Sequence, residues 1–191
     1  GDIMDRGMVV IGASLGGLHA LHVILEGLPM NFSLPVAIVQ HRDKNSGEPL
    51  SAYLQNYSNL EVVEVCDKDL IVPGTVFIAP TDYHLLIEDG FFSLSTEALV
   101  WYSRPSIDVL FESAAFVCGR KTIGILLTGA NQDGAKGMRE IKRHGGLTIA
   151  QDPVTAECGV MPESAISLGV VDKVMPLESI SKFLVGICSK K

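Results

Sequence analysis

The sequence predicts a doubly wound α/β fold: a mostly parallel sheet flanked by helices on both faces, with a small antiparallel β extension. Three observations carry it. Short continuous apolar runs of strand length recur along the chain, amphipathic segments with three- and four-residue spacing follow them, and glycine or polar turns sit where the two meet. Strands that alternate with helices in this way assemble through right-handed crossovers into a parallel sheet.

Met8-Val9-Val10-Ile11 opens the fold as an apolar run that stops at Gly12, the pattern of a strand buried on both faces. A helix is expected over 16–28, where Leu18, Leu21, Ile24, Leu25 and Leu28 share one face and Pro29 ends the segment. Val36-Ala37-Ile38-Val39 repeats the strand, followed by a polar loop at 41–47 and a helix over about 48–57. A third strand is expected over 60–66. Next come three short β runs, 74–79, 83–88 and 91–95, parted by Pro80-Thr81-Asp82 and Asp89-Gly90. That turn chemistry predicts an antiparallel extension built from all three. The α/β alternation then resumes with a helix over 106–118, a strand over 122–127, a helix over 134–144 and a strand over 147–150. Met161-Pro162 starts a short helix, since proline is tolerated in a first turn. A last strand over 170–175 and a helix over 177–187 complete the chain.

A length of 191 residues suits one domain with a single sizeable core. Residues 1–7 are expected to be a disordered leader or severed linker, and 8–191 one domain. The net charge is −7 and Lys and Arg are not clustered, which argues against nucleic acid as a partner. The longest apolar runs fall short of the roughly 20 residues a membrane span needs, and no secretory segment opens the chain, so the cytoplasm is the expected location. Cys66, Cys118, Cys158 and Cys188 form no C-x-x-C pair, so neither a metal site nor a redox motif is expected.

Gly12-Ala13-Ser14-Leu15-Gly16 fits G-x-S-x-G between a buried strand and an amphipathic helix, the setting in which that pattern marks a nucleophile. The start of the helix offers free backbone N–H groups for an oxyanion. A dinucleotide fingerprint would need glycine where Ser14 stands, and a P-loop would need Gly-Lys-Ser/Thr. A serine nucleophile needs a base. Of five histidines, only His41 follows the end of a predicted parallel strand, the edge where open α/β sheets bind ligands. His19 and His22 read as surface or packing residues of the first helix, and His144 as a cation at a helix C-terminus. Asp133, at the end of Leu127-Thr128-Gly129-Ala130-Asn131-Gln132-Asp133, is the candidate that orients His41. The bland alternatives are a helix-capping Ser14, a loop His41 and an Asp133 that caps the helix it precedes. Leu15, Gly129, Ala130 and Asn131 are candidates for oxyanion or substrate contacts. The order Ser, His, Asp differs from that of the α/β-hydrolases.

Ile11-Gly12-Ala13-Ser14-Leu15-Gly16-Gly17, Gln40-His41, Ala79-Pro80-Thr81-Asp82-Tyr83-His84-Leu85, Arg104-Pro105-Ser106-Ile107-Asp108, Leu127-Thr128-Gly129 with Asp133-Gly134-Ala135, and Ala150-Gln151-Asp152 through Met161-Pro162 run in order along nearly the whole chain. Together they resemble the catalytic domain of the chemotaxis protein-glutamate methylesterases, the CheB type. The resemblance implies Ser14, His41 and Asp133 as catalytic residues, hydrolysis of glutamate γ-methyl esters on chemoreceptor helices, and glutamine deamidation as a second activity. It implies no cofactor and no metal. The partners it implies are methyl-accepting chemotaxis receptors, which would bring the protein to the membrane, and a receiver domain or response regulator acting in trans. Leu15 stands where the family commonly has threonine, and Gly129-Ala130-Asn131-Gln132-Asp133-Gly134 where it usually reads Gly-Met-Gly-Asn-Asp-Gly. Arg104 with Asp108, and Met161, are candidates for the site rim, with an exposed structural pair or helix cap as the alternative for Arg104 and Asp108; Asp82 and His84 are expected to build a turn, with a direct substrate role as the alternative. A non-chemotactic serine esterase or amidase on the same scaffold, and a catalytically silent binding module, stay open as alternatives.

Overall fold

The computed structural model of the chain describes residues 7–42 and 47–188. The expected leader, apart from Gly7, and the centre of the polar loop at 41–47 lie outside the described residues. Among those described, seven strands form one parallel sheet in the order β3-β4-β2-β1-β7-β8-β9, and β5 pairs antiparallel with β6 beside it. The strands are β1 (Met8–Ala13), β2 (Val36–Gln40), β3 (Glu61–Glu64), β4 (Thr75–Ile78), β5 (His84–Ile87), β6 (Phe92–Ser95), β7 (Thr122–Leu126), β8 (Leu147–Gln151) and β9 (Lys173–Met175). The helices are α1 (Gly17–Glu26), α2 (Leu50–Gln55), α3 (Ile107–Cys118), α4 (Ala135–Arg143), α5 (Val160–Ser167) and α6 (Leu177–Cys188).

One expectation is corrected. The run at 74–79 is not part of the antiparallel extension: β4 lies in the parallel sheet between β3 and β2. All four of its residues are buried, as a strand covered on both faces requires, whereas β6 has one buried residue and three partly exposed ones. The extension is the β5–β6 hairpin alone.

Successive β1 residues face opposite layers, as the two-residue repeat of a strand dictates. Met8 and Val10 pack with α3, α4, α5 and the hairpin, while Val9 and Ile11 pack with α1, α2 and α6. The central strand is thus buried from both sides. β1 lies between β2 and β7, and the strand order reverses between β1 and β7. Such a reversal opens a crevice at the strand carboxyl ends, because successive crossovers leave on opposite faces there. Ser14 follows β1, His41 follows β2, and the loop to Asp133 follows β7.

Candidate active site

Ser14 sits in a turn held from three sides. Its backbone N–H donates to Thr128 O at 2.9 Å, and its carbonyl accepts from Gly17 N at 2.7 Å and from Gln40 Nε2 at 2.9 Å. The two motif glycines serve different ends. Gly16 has φ +83°, a left-handed conformation costly for any residue with a Cβ, and a Cβ there would also stand 2.6 Å from the Glu157 carboxylate. Gly12 instead admits the Ile107 side chain, which a Cβ would overlap, so α3 can pack close beneath the Ser14 turn. Among the described residues the backbone N–H groups of Leu15, Gly16 and Ala130 make no hydrogen bond.

His41 continues the edge of β2, donating its backbone N–H to Ala13 O at 3.0 Å. Its Nε2 lies 2.8 Å from Asp133 Oδ2, and its Nδ1 lies 3.1 Å from Asn131 Nδ2. Among the described residues no hydrogen bond joins the Ser14 hydroxyl to His41. The structure therefore brings His41 and Asp133 into contact and sets Ser14 on the neighbouring strand end.

Asp133 is wholly buried, and its carboxylate is solvated by protein. It accepts from Ser106 Oγ at 2.9 Å, Ile107 N at 2.6 Å and Asp108 N at 2.9 Å, all at the start of α3, in addition to His41. A helix start supplies unpaired N–H groups and the positive end of the dipole, the partners a buried carboxylate requires. Asp133 does not cap α4, the helix it precedes; Gly134 occupies that position. The start of α4 is served by Asp108, whose Oδ1 accepts from Gly134 N at 2.9 Å and Gly137 N at 2.8 Å. Each of the two aspartates thus caps the other's helix. Burial, and then the nearby Asp133 charge, push the Asp108 carboxyl up to about 6.

The rim assignments need correction. Asp108 and Met161 are buried, at 2% and 0% exposure, because Asp108 lies on the face of α3 toward α4 and Met161 packs under Gly129. Met161 N donates to Gly129 O at 2.9 Å, so it supports the loop from below. Arg104 does not meet Asp108. It pairs with Asp82 at 2.8 Å and donates to the Thr96 and Glu97 carbonyls, tying the turn at 82 to the base of the loop at 96–104. His84 is buried rather than a simple turn residue: its Nδ1 accepts from Ser106 N at 3.1 Å, so Nε2 carries the proton and donates to Ala98 O at 2.9 Å. His84 thereby positions Ser106, and Ser106 holds Asp133. His22 stacks on Tyr57 and contacts Glu26, while His144 bonds to the Glu140 carbonyl at the end of α4.

A cleft of about 720 Å³ opens over Ser14 and His41, bordered also by Leu15, Gln40, Tyr53 and Glu157. Sequence reasoning missed Tyr53, Glu157, Ser106 and His84 as contributors. Ser106 was visible as a residue type favoured before a helix, but its partner lies 27 positions away. Among the described residues no group of three His, Cys, Asp or Glu side chains could hold a metal ion, and no helix is long and apolar enough to cross a membrane.

The family model described as CheB methylesterase matches residues 9–184. A Leptospira interrogans protein provisionally named protein-glutamate methylesterase/protein-glutamine glutaminase is 46% identical over 185 residues, covering 96% of each chain. A protein-glutamate methylesterase/protein-glutamine glutaminase of Carboxydothermus hydrogenoformans is 43% identical across 93% of this chain, which spans 54% of that protein's length. The crystal structure of the Thermotoga maritima CheB methylesterase catalytic domain superposes with a TM-score of 0.91 at 37% identity, covering 95% of this chain and 98% of that one.

Proposed function

The chain belongs to the CheB methylesterase family, and we propose that it hydrolyses glutamate γ-methyl esters on chemoreceptor cytoplasmic helices with Ser14 as nucleophile, His41 as base and Asp133 as the group that orients the base. It is a carboxylic ester hydrolase, a protein-glutamate methylesterase whose relatives carry protein-glutamine glutaminase in the same name. The observation that carries the assignment of roles is the 2.8 Å contact between His41 Nε2 and the buried Asp133, at a strand end beside Ser14.

The geometry gives each residue its task. Nε2–H donates a hydrogen bond to Asp133, so the basic lone pair of the neutral ring is on Nδ1. The Ser14 oxygen attacks the γ-carbonyl as its proton passes to Nδ1, and the new imidazolium is stabilised by the Asp133 charge, itself held by three donors at the start of α3. The unpaired N–H groups of Leu15, Gly16 and Ala130 are the candidate oxyanion donors. Methanol departs with the proton from Nδ1, leaving an acyl ester on Ser14. Water, deprotonated by the same nitrogen, then releases the glutamate and regenerates the serine. With a glutamine substrate ammonia leaves in place of methanol. We place the protein in the cytoplasm, where such receptor helices are reached.

The direct test is methanol release from a methylated chemoreceptor cytoplasmic fragment by the parent chain and its Ser14→Ala variant. Release by the parent alone is expected; equal release by both would remove Ser14 from the mechanism.

A further inference from the structure

We propose that the Asn131 side chain is a latch on the base: its amide occupies the His41 Nδ1 lone pair, and it must leave before Ser14 can be deprotonated. The inference rests on the reading of Ser14 and His41 as nucleophile and base.

The orientation of the Asn131 amide follows from its other contact. Asp133 donates its backbone N–H to Asn131 Oδ1 at 2.9 Å, a bond only the oxygen can accept, so the NH2 end faces the imidazole. That NH2 lies 3.1 Å from His41 Nδ1 and is a donor, so Nδ1 must be the acceptor. The proton of the neutral ring is then on Nε2, in agreement with its 2.8 Å contact to the Asp133 carboxylate. The two contacts therefore assign the same tautomer independently.

A neutral imidazole has one lone pair in the ring plane, and it accepts one good hydrogen bond. The Ser14 hydroxyl and the Asn131 amide compete for it, and in this structure Asn131 holds it: among the described residues the hydroxyl has no bond to His41. Once Nδ1 takes the serine proton, two donors would face each other across 3.1 Å, so the amide has to swing away during turnover. The latch thus sets the tautomer the reaction needs and blocks the reaction until it opens. A substrate chain entering the cleft above Ser14 and His41 is the agent that can draw the amide away, because backbone carbonyls accept from it equally well.

Two variants separate this role from simple loop support. Asn131→Ala removes the competing donor and also the acceptor for Asp133 N–H. Asn131→Asp keeps that acceptor but presents an oxygen to Nδ1, which holds a proton on that nitrogen and abolishes the lone pair. The readouts are the rate at which a fluorophosphonate labels Ser14 and the ¹⁵N spectrum of His41. A latch predicts labelling about fivefold faster in Asn131→Ala, the equivalent of one ordinary neutral hydrogen bond, and roughly tenfold or more slower in Asn131→Asp, as a base in the wrong tautomer is. The spectrum should show Nδ1 without a proton in the parent and protonated in Asn131→Asp. Slower labelling of Asn131→Ala with an unchanged Asn131→Asp would mean that the residue only supports the loop, and the latch would be refuted. A protonated Nδ1 in the neutral ring of the parent overturns it too, even if a variant fails to fold. If His41→Ala labels at the parental rate, the fault lies with the reading of the site, and the parent spectrum still decides whether Asn131 holds Nδ1.

Discussion

Replacing Asp108 by asparagine should change the pH dependence of stability. Asp108 is 2% exposed, its Oδ1 caps α4, and its Oδ2 is buried with no hydrogen-bond partner among the described residues. Desolvation, followed by the Asp133 charge, raises its carboxyl from 3.8 to about 6. Between those two values the folded protein keeps a proton that the unfolded chain has lost, so stability falls as pH rises through that window and levels off above it. Two pH units correspond to about 3 kcal/mol. Asparagine preserves the carbonyl acceptor for Gly134 and Gly137 but cannot ionise. Urea unfolding of parent and Asp108→Asn at about pH 4 and about pH 8 should therefore show the variant gaining about 3 kcal/mol on the parent between the two, with m unchanged. Parallel pH profiles for the two proteins would refute the claim that burial raises this carboxyl in the native state.

Other expectations concern the chemistry and the supports beneath it. Ser14→Ala and His41→Ala should each abolish methanol release with circular dichroism unaltered, while Asp133→Asn should leave a small remainder, because it disturbs tautomer and orientation and leaves the nucleophile in place; full activity in either alanine variant would contradict the assignment. Ser106→Ala removes both the cap of α3 and a donor to the buried Asp133, and should cost about 2 kcal/mol in urea unfolding together with a lower kcat at little-changed KM; a variant with parental kcat would show that the serine contributes to folding alone. Gly16→Ala forces a Cβ into a φ of +83° and against Glu157, and should lose about 1–3 kcal/mol of stability and most of the turnover; a thermal midpoint within error of the parent would argue against a strained turn.

Much of the architecture was readable along the chain because it is encoded locally. The buried run of β1, the three- and four-residue spacing of α1 and the glycines between them are properties of neighbours in sequence, and they position Ser14 at a strand end with no knowledge of the rest of the fold. His41 and Asp133 stood out for the same reason, since each follows a recognisable strand. The antiparallel extension was drawn too large because a four-residue strand such as β4 has the same β-type composition whether its neighbour is parallel or antiparallel; its place between β3 and β2 is a matter of pairing.

The sequence alone determined the fold class, the strand ends proposed to carry chemistry and the resemblance that names the reaction. Only the tertiary structure decided which groups meet there: Asn131 on His41, Ser106 and the α3 amides on Asp133, Asp108 on α4, and Arg104 on Asp82. These contacts join residues 22 to 90 positions apart. A local pattern reports the conformation of a segment, whereas a hydrogen bond depends on where two segments arrive in space, and that is set by the packing of α3 and α4 against the sheet.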